Sequence, residues 1–207
     1  MGGCTTQGPT CGETKEPEKG LPGGSLGSAG PIAAKTGTGK GVKMTGWPRA
    51  IEWREFRHLD ERPDGVKLDA ETQSDNVFSQ NNTVLREKGK FRLGPLSAKV
   101  VIVSANTWVL KGKPSDALLS HEQGHYDITG LMGRDILREL AKIRAPSVKV
   151  LKRRMDSITK RLGKLGKKLT KQYDDGTHHG LNRAQQRAWK DHIRQCIKNG
   201  NKLSAPP

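Results

Sequence analysis

The sequence predicts an α+β fold: a small, mainly antiparallel sheet followed by three main helices, with a histidine motif on the first long helix. Three observations predict it. Across residues 50–110 the apolar residues fall in short β-branched runs such as Lys99-Val100-Val101-Ile102-Val103-Ser104 and Thr107-Trp108-Val109-Leu110, which suit strands. Beyond Pro114 the apolar spacing changes to threes and fours, the period of a helix that buries one face. The first 46 residues hold 13 of the 25 glycines and fit neither pattern.

Residues 1–46 therefore read as a flexible leader, too poor in apolar surface to offset its ordering entropy. Its Gly37-Thr38-Gly39-Lys40-Gly41 is similar to a phosphate loop. It lacks the upstream glycine and the Ser/Thr after lysine, and no apolar strand precedes it, which excludes an NTPase. Met1-Gly2-Gly3-Cys4-Thr5-Thr6 fits the myristoylation pattern, so a membrane partner is expected only where Gly2 and Cys4 are acylated. No stretch is apolar enough to cross a bilayer, and the charged start and apolar run of a secretory signal are missing. Export by a route without a classical signal peptide is the expectation, with a cytoplasmic location as the alternative. Cys4, Cys11 and Cys196 cannot build a disulfide framework, and their spacing matches no zinc-ligand pattern.

A domain over 47–200 follows, then a short tail over 201–207. Ile51-Glu52-Trp53-Arg54-Glu55-Phe56 alternates apolar with polar residues and predicts a half-buried strand. Residues 66–93 are weakly patterned, with turn residues at Asn81-Asn82 and Gly89. Pro114, Ser115 and Asp116 open a helix whose apolar pattern runs to about Ile143, and Pro146 breaks it. Leu151, Met155, Ile158, Leu162, Leu165, Leu169 and Tyr173 then form one apolar stripe of a second helix. A loop over 174–180 leads to a third helix at about 182–198, with Trp189, Ile193 and Ile197 on one face.

Charge is concentrated toward the C-terminus. The chain carries 37 Lys+Arg against 21 Asp+Glu, and residues 147–207 alone hold 16 against 4. A surface of this kind suits an anionic partner such as nucleic acid, acidic lipid or cell-wall polymer; the plain alternative is a solvated helix face.

The chemistry centres on His121-Glu122-Gln123-Gly124-His125. Side chains at i and i+4 share a helix face, so both imidazoles can reach one Zn2+. Glu122 lies about 100° further round, off the ligand line but within reach of a water beside the metal, where a general base is needed. Gly124 in mid-helix points to close approach by another backbone. A catalytic zinc needs a third protein ligand. Ile128 and Leu131 stand where a metzincin has its glycine and third histidine, so that arrangement is excluded. The open candidates are Asp174, Asp175, His178 and His179. Asp127 suits the orienting of a histidine N–H. Tyr173, at the end of its helix, is a candidate catalytic donor to an oxyanion, or else the last apolar position of the stripe.

The stretch Leu118-Leu119-Ser120-His121-Glu122-Gln123-Gly124-His125-Tyr126-Asp127-Ile128 resembles a bacterial family read from its motif as secreted zinc-dependent proteases and catalogued as a domain of unknown function. So do Tyr173-Asp174, Thr177-His178-His179-Gly180, Gln186, Trp189 and Ile193, with Trp53, Phe56 and Thr107-Trp108-Val109 upstream. The resemblance implies His179 as the third zinc ligand, with His178 a neighbour at the edge, and a zincin-like hydrolase acting on a peptide or protein substrate. A non-catalytic zinc module, or an effector acting through its basic helices, is the competing expectation.

Overall fold

The computed structural model describes residues 42–80 and 83–207. Eight strands precede three helices: β1 (Val42–Thr45), β2 (Arg57–Leu59), β3 (Ala70–Glu71), β4 (Ser74–Gln80), β5 (Val84–Glu87), β6 (Lys90–Leu93), β7 (Leu96–Ile102), β8 (Trp108–Leu110), α1 (Asp116–Lys142), α2 (Val148–Thr177) and α3 (Arg183–Asn199). The fold is α+β, as the change of period near Pro114 predicts.

The strands form small mixed sheets rather than one mainly antiparallel sheet. In the order β1-β7-β4, β1 runs parallel to β7 and β4 antiparallel to it. In the order β2-β8-β3, β2 is parallel to β8 and β3 antiparallel, with Glu71 opposite Trp108. The β5–β6 hairpin turns at Lys88 and Gly89, both at positive φ, a two-residue geometry that glycine relieves. Of the turn residues expected there, Asn81 and Asn82 lie outside the described residues.

Two stretches before β3 differ from the sequence reading. Ile51–Phe56 is not a strand: Trp53–Glu55 is a 3-10 turn, and β2 starts at Arg57. The Glu55 carboxylate accepts from the Glu52 N–H at 2.9 Å and from both terminal nitrogens of Arg49, which closes the turn. Ile51 and Phe56 are still buried, so the alternation reported burial correctly and conformation wrongly. The leader was drawn to residue 46, yet β1 occupies Val42–Thr45 with Met44 buried; residues 1–41 lie outside the described residues.

α1 is the centre of the packing. Ser115 caps it by accepting the Leu118 N–H, and its buried face packs on α2, α3 and strands of both three-stranded sheets. Ile128, Leu131, Ile136 and Leu137 meet Met44, Ala98 and Val100 from the sheet and Leu151, Leu162 and Leu169 from α2 in one core. Each such aliphatic side chain contributes about 1.5–3 kcal/mol by leaving water. Glycines let neighbours close in: a Cβ at Gly130 would strike the Trp47 ring, and one at Gly133 the Asn76 amide. The segment 201–207, read as a tail, is docked rather than free. Leu203 is buried, its N–H donates to Asp135, and Arg134 donates to the Asn201 carbonyl.

Candidate metal centre

α1 and α2 together build the site. His121 and Glu122 are buried on α1, and the Nε2 atoms of His121 and His125 stand 3.2 Å apart. α2 runs on to Thr177, three residues past the expected start of a loop, so Asp174 is a helical residue in its last turn. Its Oδ1 lies 3.0 Å from His125 Nε2 and 3.4 Å from His121 Nε2. Among the described residues, His121, His125 and Asp174 form a group able to hold a metal ion, with one ligand atom each and all three within 4.8 Å of one another.

The electrostatics suit a cation. Burial alone would raise the Asp174 pKa, but the two imidazoles outweigh it and hold the carboxyl below the usual range. Burial works against a charged His125, yet Asp174, Glu122 and Glu71 together raise its pKa. Glu122 Oε2 is buried with no hydrogen-bond partner, and Asp174 Oδ1, though close to both rings, also lacks a well-aligned donor. Two orphaned carboxylate oxygens beside two imidazoles would be costly without something positive to share.

Behind His121 a polar network fixes its ring. His121 Nδ1 is 3.2 Å from Gln186 Oε1, an acceptor for an Nδ1 proton, and its Nε2 is turned toward Asp174 and His125. Gln186 Nε2 donates to the Tyr173 hydroxyl at 2.7 Å, and that hydroxyl donates to the His121 carbonyl at 3.0 Å. Burial pushes the Tyr173 pKa up. The Tyr173 hydroxyl, expected as an oxyanion donor, instead donates to the His121 carbonyl. The Tyr173 ring stacks on His121 at 4.8 Å and its hydroxyl is spent behind the ligand, away from the cleft. Gly124 is explained by the same contact. A Cβ there would come within 2.2 Å of the Tyr173 oxygen, so the close neighbour is a side chain and not a backbone.

Asp127 does not orient a histidine. It accepts from Trp47 Nε1 at 2.9 Å, and burial pushes its pKa up to about 6 against the Trp47 and Gln123 hydrogen bonds. His178 closes α2 in the left-handed conformation, and His179 and Gly180 also have positive φ. That turn brings Gly180 against His121, where a Cβ would meet the His121 Cβ at 3.1 Å. It leaves His179 half exposed at the mouth, its Nδ1 3.6 Å from Asp174 Oδ1 and outside the three-donor group. Asp175 points to solvent and pairs with Lys171. Gln186 is no site candidate from spacing alone; the one sequence signal for it is its place among the residues that carry the family resemblance. A cleft of about 520 Å³ opens onto the site between residues 67–72, which include β3, and the helix-borne His121, Glu122, His125 and Asp174.

A bacterial domain of unknown function is found at residues 107–180, which match the family model described as "Bacterial protein of unknown function (DUF922)". The match spans β8, α1 and α2, and so includes all three donors, Glu122 and His179. No curated protein and no solved structure matches the chain.

Proposed function

We propose that the protein is a zinc-dependent metallopeptidase in which His121, His125 and Asp174 hold the metal and Glu122 is the general base. The observation that carries this is the spacing of the donors. A tetrahedral zinc with bonds of about 2.0–2.1 Å separates its ligands by about 3.3 Å. The three separations here are 3.0, 3.2 and 3.4 Å. Two imidazoles and one carboxylate also match the donor set of catalytic zinc with one position open.

The ion would supply Lewis acidity, making a water more acidic and a carbonyl more electrophilic. The chain's residues do the rest. Gln186 and Tyr173 lock the His121 ring, and Asp174 brings the last turn of α2 against α1. The free Oε2 of Glu122 takes a proton from the attacking water and hands it to the leaving amine. His179, at the mouth of the cleft, faces the substrate rather than completing the three-donor group, and takes the polar-donor role once expected of Tyr173. Peptide or protein substrates belong to the same proposal through the sequence resemblance.

Glu122→Gln tests the reading. It keeps the shape of the side chain, so zinc content should stay stoichiometric while hydrolysis of an unfolded protein substrate falls by about 10²–10⁴-fold. An unchanged rate with zinc bound would show that Glu122 is not the base and that the motif is not catalytic in this way.

A further inference from the structure

α2 carries ten Lys and Arg against three carboxylates. Asp174 belongs to the candidate metal group and Asp175 pairs with Lys171, which leaves Asp156, about 20° from the edge of the basic arc, as the one further acidic group against it. With about 100° per residue, Lys149, Arg153, Lys160, Lys164, Lys167 and Lys171 fall within an arc of about 60°, opposite the buried stripe of Leu151, Leu162, Leu169 and Tyr173. All six are exposed. At 1.5 Å per residue the row is about 33 Å long and runs straight toward Asp174. Among the described residues, the first five of these cations form no ion pair.

This arrangement carries a standing cost. Lys160 and Lys164, Lys164 and Lys167, and Lys167 and Lys171 are helix neighbours of like charge, which weakens a helix. Mixed charges would keep the surface soluble without that repulsion. A partner that brings repeating negative charge along a line removes it.

We propose that this face of α2 docks the phosphate backbone of double-stranded nucleic acid, without reading its sequence. The row itself argues for a linear partner with regularly repeated charge rather than an acidic protein patch. It contains no aromatic residue on which single-stranded bases could stack. It contains no large apolar residue to enter a bilayer either: the exposed Val148 and Leu165 lie about 100° outside the arc. The proposal is independent of the zinc reading, since none of the six side chains is a metal ligand.

The test is fluorescence anisotropy of the full chain with a 30-base-pair DNA duplex of arbitrary sequence over a salt series. About five or six neutralised phosphates predict a slope of log K against log salt near −5, the same with a chelator present. Lys160→Gln, Lys164→Gln and Lys167→Gln together should cut affinity at least tenfold and bring the slope to about −2. Lys88→Gln, Lys90→Gln and Lys99→Gln, equal in charge but on the β5–β6 hairpin and β7, should leave both unchanged. Equal losses in the two triple variants would overturn the row as the binding element. Tighter binding to the single strand, or to vesicles of phosphatidylserine and phosphatidylcholine, would overturn the duplex as the partner.

Discussion

Gly124 and Gln186 decide how firmly His121 is held. The Tyr173 hydroxyl fills the space a Gly124 side chain would need, and its two hydrogen bonds keep it from swinging away. Gly124→Ala should therefore destabilise the fold by about 1–3 kcal/mol, as overpacking does. Urea denaturation reads this, and an unchanged midpoint would mean that Tyr173 yields freely. Gln186→Leu removes the acceptor for His121 Nδ1 while leaving Tyr173 its bond to the His121 carbonyl. Zinc affinity, measured by competition with a chelating dye, should fall about 10–100-fold. Equal affinity would assign Gln186 to packing alone. Residue identity in this site was only partly legible in the sequence. His121, Glu122 and His125 fall within five consecutive residues of one helix, so their juxtaposition is local. Gln186 reaches His121 across 65 residues, and no local spacing encodes that.

The elements were legible where one period governs a long segment. α1 and α3 begin and end within a residue or two of the expected bounds because apolar period, caps and Pro146 all agree. α2 outran its expected end because Asp174-Asp175-Gly176 reads as a turn. Tertiary burial overrides it: Tyr173 and Thr177 lie four apart, both fully buried, with Thr177 Oγ1 donating to the Tyr173 carbonyl at 2.7 Å. The parallel pairing of β1 with β7 joins segments some fifty residues apart, and alternation within a strand says nothing of its neighbour. The Trp53–Glu55 turn gives an element-scale prediction. Arg49 is the largest influence on Glu55, and it lowers the carboxyl pKa below the ordinary 4.5. A lowered folded pKa stabilises above the unfolded value and is lost as pH falls through the folded one. Wild type should therefore exceed Glu55→Gln by up to about 1 kcal/mol at pH 7, since the pair is partly exposed. The gap should close well below pH 4.5, where denaturant midpoints of the two proteins should converge. A gap that persists in acid would mean that the turn does not depend on the ionised carboxylate.

At the scale of the molecule the proposed metal centre is a clasp between α1 and the end of α2, and the turn at 178–180 is closed against it. A ligand bound only by the folded chain stabilises by about 4 kcal/mol when present at a thousand times its Kd. Chelation should accordingly lower the Tm by several degrees, and re-added zinc should restore it. The most direct measurement is zinc per chain in the wild type, Asp174→Ala and His179→Ala, each checked for folding by circular dichroism. One zinc in the wild type, one in His179→Ala and little or none in Asp174→Ala is the expected result. Zinc retained by folded Asp174→Ala but lost from folded His179→Ala would contradict the ligand set of His121, His125 and Asp174.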